Sequence, residues 1–289
     1  MKNRKFILTF EISAFIVFSV FIISIIFGEI KLENFIFIFE KWPILIGVFL
    51  LFLVNHALRM FRLFILLMEN RMRFSELFNL YVKATLINNI LPFKIGEIYK
   101  FLLFGNKLND MYKGFLLVWI DRFFDALVMS ILAIFLIIKG NFSNVMIVIF
   151  LFVVLSIIIF KNFENTFNYF NKLLLTQSKS KNGIFYLKVI DQFKKIYNDS
   201  RELIRGRSMV LLFTSAIILI SEYFLVFAFF NLLAKNFDSI AFFNYLNGAF
   251  FVENNASTDY MIKLISIVLL IIFLCFSFIL RKRAEKDDR

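Results

Sequence analysis

The chain has few of the residues from which metal and redox sites are built. Its 289 residues include one cysteine, Cys275, and one histidine, His56. One cysteine cannot form a disulfide within the chain or a thiolate metal site, and one histidine cannot build a histidine metal site. Neither a His-Glu-x-x-His sequence nor a GxxxxGK phosphate-binding loop occurs. We therefore predict no metal and no cofactor, and we interpret His56 as a hydrogen-bonded structural residue.

Charged residues are also scarce, at 19% of the chain, whereas 61% of the residues are hydrophobic. Soluble domains contain about 45–50% apolar residues, so this composition indicates an integral membrane protein. The net charge of +12 could suit a nucleic-acid-binding protein if the basic residues formed one folded face. Here they lie between apolar segments instead, which favours a role in membrane topology and predicts no nucleic-acid partner.

Six apolar segments predict helices that cross the membrane, whose hydrocarbon layer is about 30 Å thick. The first segment has no signal-peptide cleavage site, so we interpret it as a retained anchor. Residues 161–207 contain ten basic and four acidic residues, which places them in the cytoplasm by the positive-inside rule. With both termini also cytoplasmic, the chain is predicted to be a multi-pass protein of the cytoplasmic (inner) membrane. The segments are Phe6–Phe27, Pro43–Met68, Gly114–Ile138, Val145–Phe160, Met209–Ala234 and Met261–Leu280.

Residues 75–105 predict a re-entrant helical hairpin rather than a further span. Pro92 and its steric effect on Leu91 should end a first helix near Ile90. Gly96 permits a turn before a short second arm. Non-helical backbone at membrane depth requires protein or a water-filled cavity around it, which a hairpin provides. The alternative is a plain span with a proline kink.

Two other segments complete the prediction of an all-α polytopic protein with about six transmembrane helices and one or two re-entrant hairpins. The cytoplasmic stretch 161–207 has apolar residues at helical spacing, which is typical of an amphipathic helix lying on the inner leaflet. Residues 239–256 are too short to cross but could enter and return. Because this segment starts from the outside, the two hairpins have the arrangement of an inverted repeat. We treat residues 1–289 as a single integral membrane domain.

Charged residues within the predicted spans are candidates for function, because such groups are costly in hydrocarbon. Asn55, Arg59 and Arg62 recur at helical spacing and form one polar stripe. The arginines could bind a lipid headgroup or could extend to the headgroup region of the bilayer as topology signals. On the third span, Asp121, Arg122 and Asp125 are spaced to form one charged cluster on a helix face. That cluster could line a substrate path or could join helices as a structural ion cluster.

The segments Asn89–Glu97 and Trp119–Asp125 resemble the lysylphosphatidylglycerol synthase transmembrane-region, or flippase-like, family. That family has an LP-x-x-x-GE re-entrant motif, a basic residue soon after it, and an acidic-Arg-x-x-Asp motif on the next span. The resemblance implies handling or movement of lipids such as aminoacylated phospholipids, polyprenyl-linked sugars or hopanoids. The family's second, proline-containing motif is reduced here to Asn247-Gly248 and Glu253. The matching residues are Leu91, Pro92, Gly96, Glu97, Lys100, Asp121, Arg122 and Asp125.

From these observations we expect a flippase-like protein that binds an anionic phospholipid or a polyprenyl-phosphate-linked lipid and moves it between leaflets. Two alternatives remain open: a membrane-embedded enzyme acting on a lipid-linked sugar, and a non-catalytic assembly subunit of a lipid or glycan pathway. The chain lacks a soluble catalytic domain, which favours a transporter over an enzyme. The residues expected to bind the headgroup or line its path are Arg59, Arg62, Asn88, Asn89, Pro92, Lys94, Gly96, Glu97, Lys100, Asp121, Arg122, Asp125 and Glu222.

Overall fold

The computed structural model describes residues 2–26, 41–70, 72–91, 95–138, 144–177, 181–232, 242 and 265–276. All regular secondary structure in these residues is helical, as the composition predicts. Its helices are α1 (Lys2–Ile26), α2 (Trp42–Leu67), α3 (Phe74–Ile90), α4 (Ile95–Leu108), α5 (Met111–Ile138), α6 (Asn144–Gln177), α7 (Lys181–Ile204), α8 (Ser208–Leu232) and α9 (Ile265–Phe276). A 3₁₀ turn, Met68–Asn70, follows α2.

Three helical segments within the described residues are long and apolar enough to cross a membrane: Trp42–Asn70, Phe150–Phe170 and Ser208–Leu232. The shorter apolar helix Ile265–Phe276 lies in the last of the predicted spans. Each of the six predicted spans overlaps one of the helices α1, α2, α5, α6, α8 and α9. The structure therefore agrees with a multi-pass membrane protein, while the count of six spans stays a prediction.

The helices α3 and α4 form an antiparallel hairpin. At the end nearest the break between them, a Cβ added to Gly96 would come 2.6 Å from the Asn88 side chain. At the opposite end, Lys107 Nζ lies 2.9 Å from Glu76 Oε2. The first arm ends at Ile90, and Leu91 is extended with φ −78° and ψ 134°. This is where the steric effect of Pro92 was predicted to end the helix.

A short turn joins α4 to α5. Asn109 takes a left-handed conformation with φ 53°, and Asp110 Oδ1 accepts hydrogen bonds from the backbone N–H groups of Tyr112 and Lys113. The aspartate therefore caps the start of α5. Beside the turn, a Cβ added to Gly114 would lie 2.5 Å from the Gly105 backbone. Two facing glycines thus let the ends of these helices approach closely.

The described residues divide into two compact units, Met1–Gly114 with Ile217–Arg289, and Phe115–Ala216. In the first unit, side chains of α2, α8 and α9 form one apolar cluster. A second cluster joins α1 to the hairpin arms α3 and α4. The first cluster contains Val48, Phe52, Leu225, Phe229, Leu232 and Leu270, and the second contains Ala14, Ile87, Leu91 and Tyr99.

In the second unit, α7 runs antiparallel along the C-terminal half of α6. The ring of Tyr197 lies 4.9 Å from that of Phe160 and stacks on that of Phe163 at 4.7 Å. Nearby, Arg201 Nη1 lies 3.8 Å from Glu164 Oε2. The sequence predicted the helix α7 but ended α6 at Phe160, whereas α6 continues to Gln177. The polar residues after Phe160 are compatible with a helix and do not end it.

Candidate functional site

The candidate site in the first unit begins with the polar stripe of α2. Asn55 and Arg62 are buried, with 5% and 1% of their surfaces exposed. Arg59, between them, is partly buried. The stripe therefore faces the protein interior. This burial argues against the alternative in which Arg62 extends to the headgroup region as a topology signal.

The partner of this stripe comes from α8. Arg59 Nη2 donates a hydrogen bond to Glu222 Oε2 at 2.9 Å, and Arg59 Nε donates one to Asn55 Oδ1 at 2.8 Å. The Asn55 amide nitrogen donates to Ser221 Oγ at 2.9 Å. One connected network thus joins two of the apolar helices. Because an ion pair in an apolar environment is costly to break, it holds Arg59 in a fixed orientation.

His56 lies beside the stripe but takes part in a different contact. Its Nδ1 is 2.6 Å from the Tyr81 hydroxyl of α3, and its ring packs edge-on against Phe52. This geometry agrees with the structural role predicted for it. In the part of the chain that the structure describes, no group of three or more His, Cys, Asp or Glu residues could hold a metal ion.

The tip of the α3–α4 hairpin carries the residues of the first motif. Asn88 and Asn89 lie in the last turn of α3 and are partly buried, and Glu97 lies in the first turn of α4. A carboxylate at that position also interacts favourably with the helix dipole, so part of its role is structural. Lys100 lies one turn after Gly96 and is 9% exposed. Pro92 and Lys94 fall outside the described residues.

Gly96 has a different role from the one that the sequence suggested. It lies inside α4, and its φ is not positive. A Cβ at this position would overlap the Asn88 Cα atom. The glycine is therefore needed for close packing of the two arms and not for a turn.

In the second unit, α5 carries the acidic-Arg-x-x-Asp motif. Asp121 is buried at 5% exposure. Arg122 Nη1 lies 3.5 Å from Asp125 Oδ2, with 37% and 12% of the two side chains exposed. The predicted pairing of Arg122 with Asp125 is thus present. Its long distance and partial exposure make it weaker than the pair between Arg59 and Glu222.

Sequence reasoning missed one contact that bears on the hairpin. The hydroxyl of Tyr99, in α4, donates a hydrogen bond to Glu11 Oε1, in α1, at 3.1 Å. Glu11 could have been noticed, because it is the only charged residue between Phe6 and Phe27. Nothing in the sequence points to Tyr99, whose importance depends on a contact 88 positions away.

Apolar helices with charged side chains on buried faces are typical of an integral membrane protein. The family model described as the lysylphosphatidylglycerol synthase TM region matches residues 12–252. The chain therefore belongs to that family, as its motifs predicted, and it is a membrane protein of a lipid-related family. No curated protein and no solved structure matches the chain.

Proposed function

We propose that this protein is a flippase-like transporter, which binds the headgroup of an anionic or polyprenyl-phosphate-linked lipid and moves it between leaflets. The observation that carries the proposal is the pair of arginines on the buried stripe of α2. Arg62 is 1% exposed, and Arg59 is held by a carboxylate from another apolar helix. Charged residues inside a membrane mark substrate or ion paths, and a buried ion pair is by itself weak evidence for a stabilising role.

A phosphate headgroup fits the chemistry of these arginines. A guanidinium presents several N–H donors in one plane and binds phosphate oxygens by charge-assisted hydrogen bonds. The carboxylate of Glu222 accepts a hydrogen bond from Arg59. In this proposal the phosphate replaces that carboxylate, and Glu222 then balances charge or carries a proton. The acyl or polyprenyl chains stay in the bilayer.

The hairpin of α3 and α4 supports a path for the headgroup through the membrane. Its arms have 17 and 14 residues, so they measure about 26 and 21 Å, shorter than a hydrocarbon layer of about 30 Å. We propose that the hairpin enters from the cytoplasmic side and returns. Its tip would then place Asn88, Asn89 and the nearby Lys100 where the headgroup crosses.

A separate set of charges lies in the second unit. We propose that Arg122, paired with Asp125 and next to the buried Asp121, is also needed for lipid movement. If the ion pair is only structural, replacing Arg122 affects lipid movement only by impairing folding. Loss of transport in a folded Arg122→Ala variant therefore distinguishes the two roles.

The proposal also includes a membrane topology for the chain and an energy source for lipid movement. The ten basic residues of 161–207 support a cytoplasmic location for that segment. The basic residues Lys2, Arg4 and Lys5, and Arg281-Lys282-Arg283 at the other end, support the same location for both termini. Without a GxxxxGK loop to hydrolyse nucleotide, movement of a charged headgroup would be downhill or driven by the membrane potential. That potential supplies about 2.3 kcal/mol per charge per 100 mV.

The test is lipid movement in proteoliposomes with headgroup-labelled anionic phospholipid and polyprenyl phosphate. We expect the wild type to move at least one of them and Arg59→Gln to slow it at least about tenfold, since a buried charge-assisted contact is lost. Lys107→Gln is the matched control, because it removes an exposed cation paired with Glu76. It should stay within about twofold of wild type.

Other outcomes would refute the proposal in identifiable ways. Wild-type protein that moves none of the lipids, although folded and correctly inserted, is not a flippase for these classes. Product formed from a lipid-linked sugar by protein in detergent would establish an enzyme instead. A normal cellular phenotype after replacement of Arg59, Arg62, Arg122 and Glu222 would indicate an assembly subunit.

A further inference from the structure

Glu11 is a charged residue in an apolar helix that the proposed lipid site does not use. No other charged residue lies between Phe6 and Phe27. A carboxylate in such a segment costs a few kcal/mol when it faces lipid, so it needs a partner inside the protein. The structure supplies that partner at 3.1 Å, the hydroxyl of Tyr99.

The hydroxyl group of Tyr99 also needs a hydrogen-bond partner inside the protein. Its side chain is 0% exposed, and the ring of Phe10 packs edge-on against it at 6.0 Å. A phenol hydroxyl in such a place destabilises the fold unless it makes a hydrogen bond. Each of the two polar groups therefore satisfies the other, and the bond joins α1 to α4.

The position of this bond relates it to the lipid site. Ala14, one turn after Glu11, packs with Ile87 and Leu91, where the first arm of the hairpin ends. Tyr99 itself lies between Glu97 and Lys100 on the second arm. Successive residues on a helix are fixed at about 100° to one another, so anchoring Tyr99 also fixes the directions of its neighbours.

We propose that Glu11 and Tyr99 are positioning residues for lipid movement. Their hydrogen bond holds α1 against the hairpin and sets the rotation of α4, which directs Lys100 and Glu97 toward the headgroup. This inference rests on the proposed function for its role in transport. The clamping of the hairpin by α1 is a statement about structure and can be tested without any lipid.

Transport rates test the first part. Tyr99→Phe removes the donor and Glu11→Leu removes the acceptor, and each should lower the rate of lipid movement about tenfold. The double variant should be no slower than the slower single variant, because both changes remove one interaction. Glu11→Gln keeps an acceptor oxygen and should restore at least half of the wild-type rate. Thr9→Val is the control, since its hydroxyl bonds only within α1, to the Lys5 carbonyl.

Cross-linking tests the second part independently of transport. Ile7 and Leu103 both pack against the cluster that joins α1 to the hairpin. With Cys275 replaced by serine, the pair Ile7→Cys and Leu103→Cys should cross-link efficiently with a short thiol reagent. Adding Tyr99→Phe or Glu11→Leu should lower the yield severalfold, and adding Glu11→Gln should not.

The results separate failure of this inference from failure of the proposed function. If wild-type protein moves no lipid but Tyr99→Phe lowers the cross-linking yield, the transporter proposal fails. The inference that the hydrogen bond between Glu11 and Tyr99 holds α1 against the hairpin is then still supported. If the rate and the yield are unchanged in both Tyr99→Phe and Glu11→Leu, the inference is wrong. The inference is also wrong if Glu11→Gln lowers both the transport rate and the cross-linking yield as much as Glu11→Leu does. Loss of the hydrogen bond between Glu11 and Tyr99 would then not be the cause of these defects.

Discussion

Replacing Gly96 by alanine should destabilise the protein, although alanine is the better helix former. Alanine stabilises a helix by about 1 kcal/mol relative to glycine. At this position, however, its Cβ would overlap the Asn88 Cα atom and lie 2.6 Å from both Cβ and Oδ1 of Asn88. A backbone atom cannot rotate away, so the arms of the hairpin must separate. Overpacking of this kind costs about 1–3 kcal/mol, and contact with backbone favours the upper end.

Gly47 provides the matched control. It also lies inside a helix, α2, but a Cβ added there has no atom within 4 Å. Gly47→Ala should therefore stabilise the protein by up to about 1 kcal/mol, so the two variants should change stability in opposite directions.

Thermal unfolding in detergent, followed by the fluorescence of Trp42 and Trp119, measures the difference. We expect Tm to fall by several degrees for Gly96→Ala and to stay level or rise for Gly47→Ala. Gly96→Ala should also slow lipid movement, because the proposed headgroup contacts lie at the same tip. A Gly96→Ala protein that unfolds at or above the wild-type temperature would show that the arms do not touch at Asn88, and our account of this glycine would be wrong.

Two further predictions concern other contacts. Asp110→Ala removes the cap at the start of α5 and should cost about 1 kcal/mol, whereas Asp110→Asn keeps an acceptor and should cost less. A difference in Tm between the two variants checks this, and equal values would rule out the cap. Tyr197→Ala removes two ring contacts with α6, worth about 1–3 kcal/mol together, so amide exchange in α7 should accelerate strongly. Phe193→Ala, which removes a ring that is 54% exposed, should accelerate it less, and a reversed order would contradict the packing described for α7.

Local features of the fold could be predicted from the sequence because their causes are local. The end of α3 at Ile90 follows from the steric effect of proline on the residue before it. The shared helix face of Asn55 and Arg62 follows from their spacing along the chain. Both features depend on neighbours within a few residues, which a single sequence displays.

Contacts between distant segments could not be predicted in the same way. Arg59 and Glu222 are separated by 163 positions, and no local signal connects them. An arginine within an apolar segment needs an acidic partner, and only a few acidic residues lie in the other apolar segments. The sequence contains no signal that selects one of them. The hydrogen bond between Glu11 and Tyr99 could not be predicted either, because the two residues are 88 positions apart.

The length of α6 has a mechanical consequence. Its 34 residues measure about 51 Å, so it exceeds a hydrocarbon layer of about 30 Å by about 20 Å. The ring of Tyr197 from α7 contacts α6 at Phe160 and Phe163, so a second helix packs against α6 along part of its length. An apolar helix that is longer than the hydrocarbon layer can tilt in the bilayer, and its tilt is then set by the helices that pack against it. The packing of α7 is therefore expected to help set the angle at which α6 crosses the membrane.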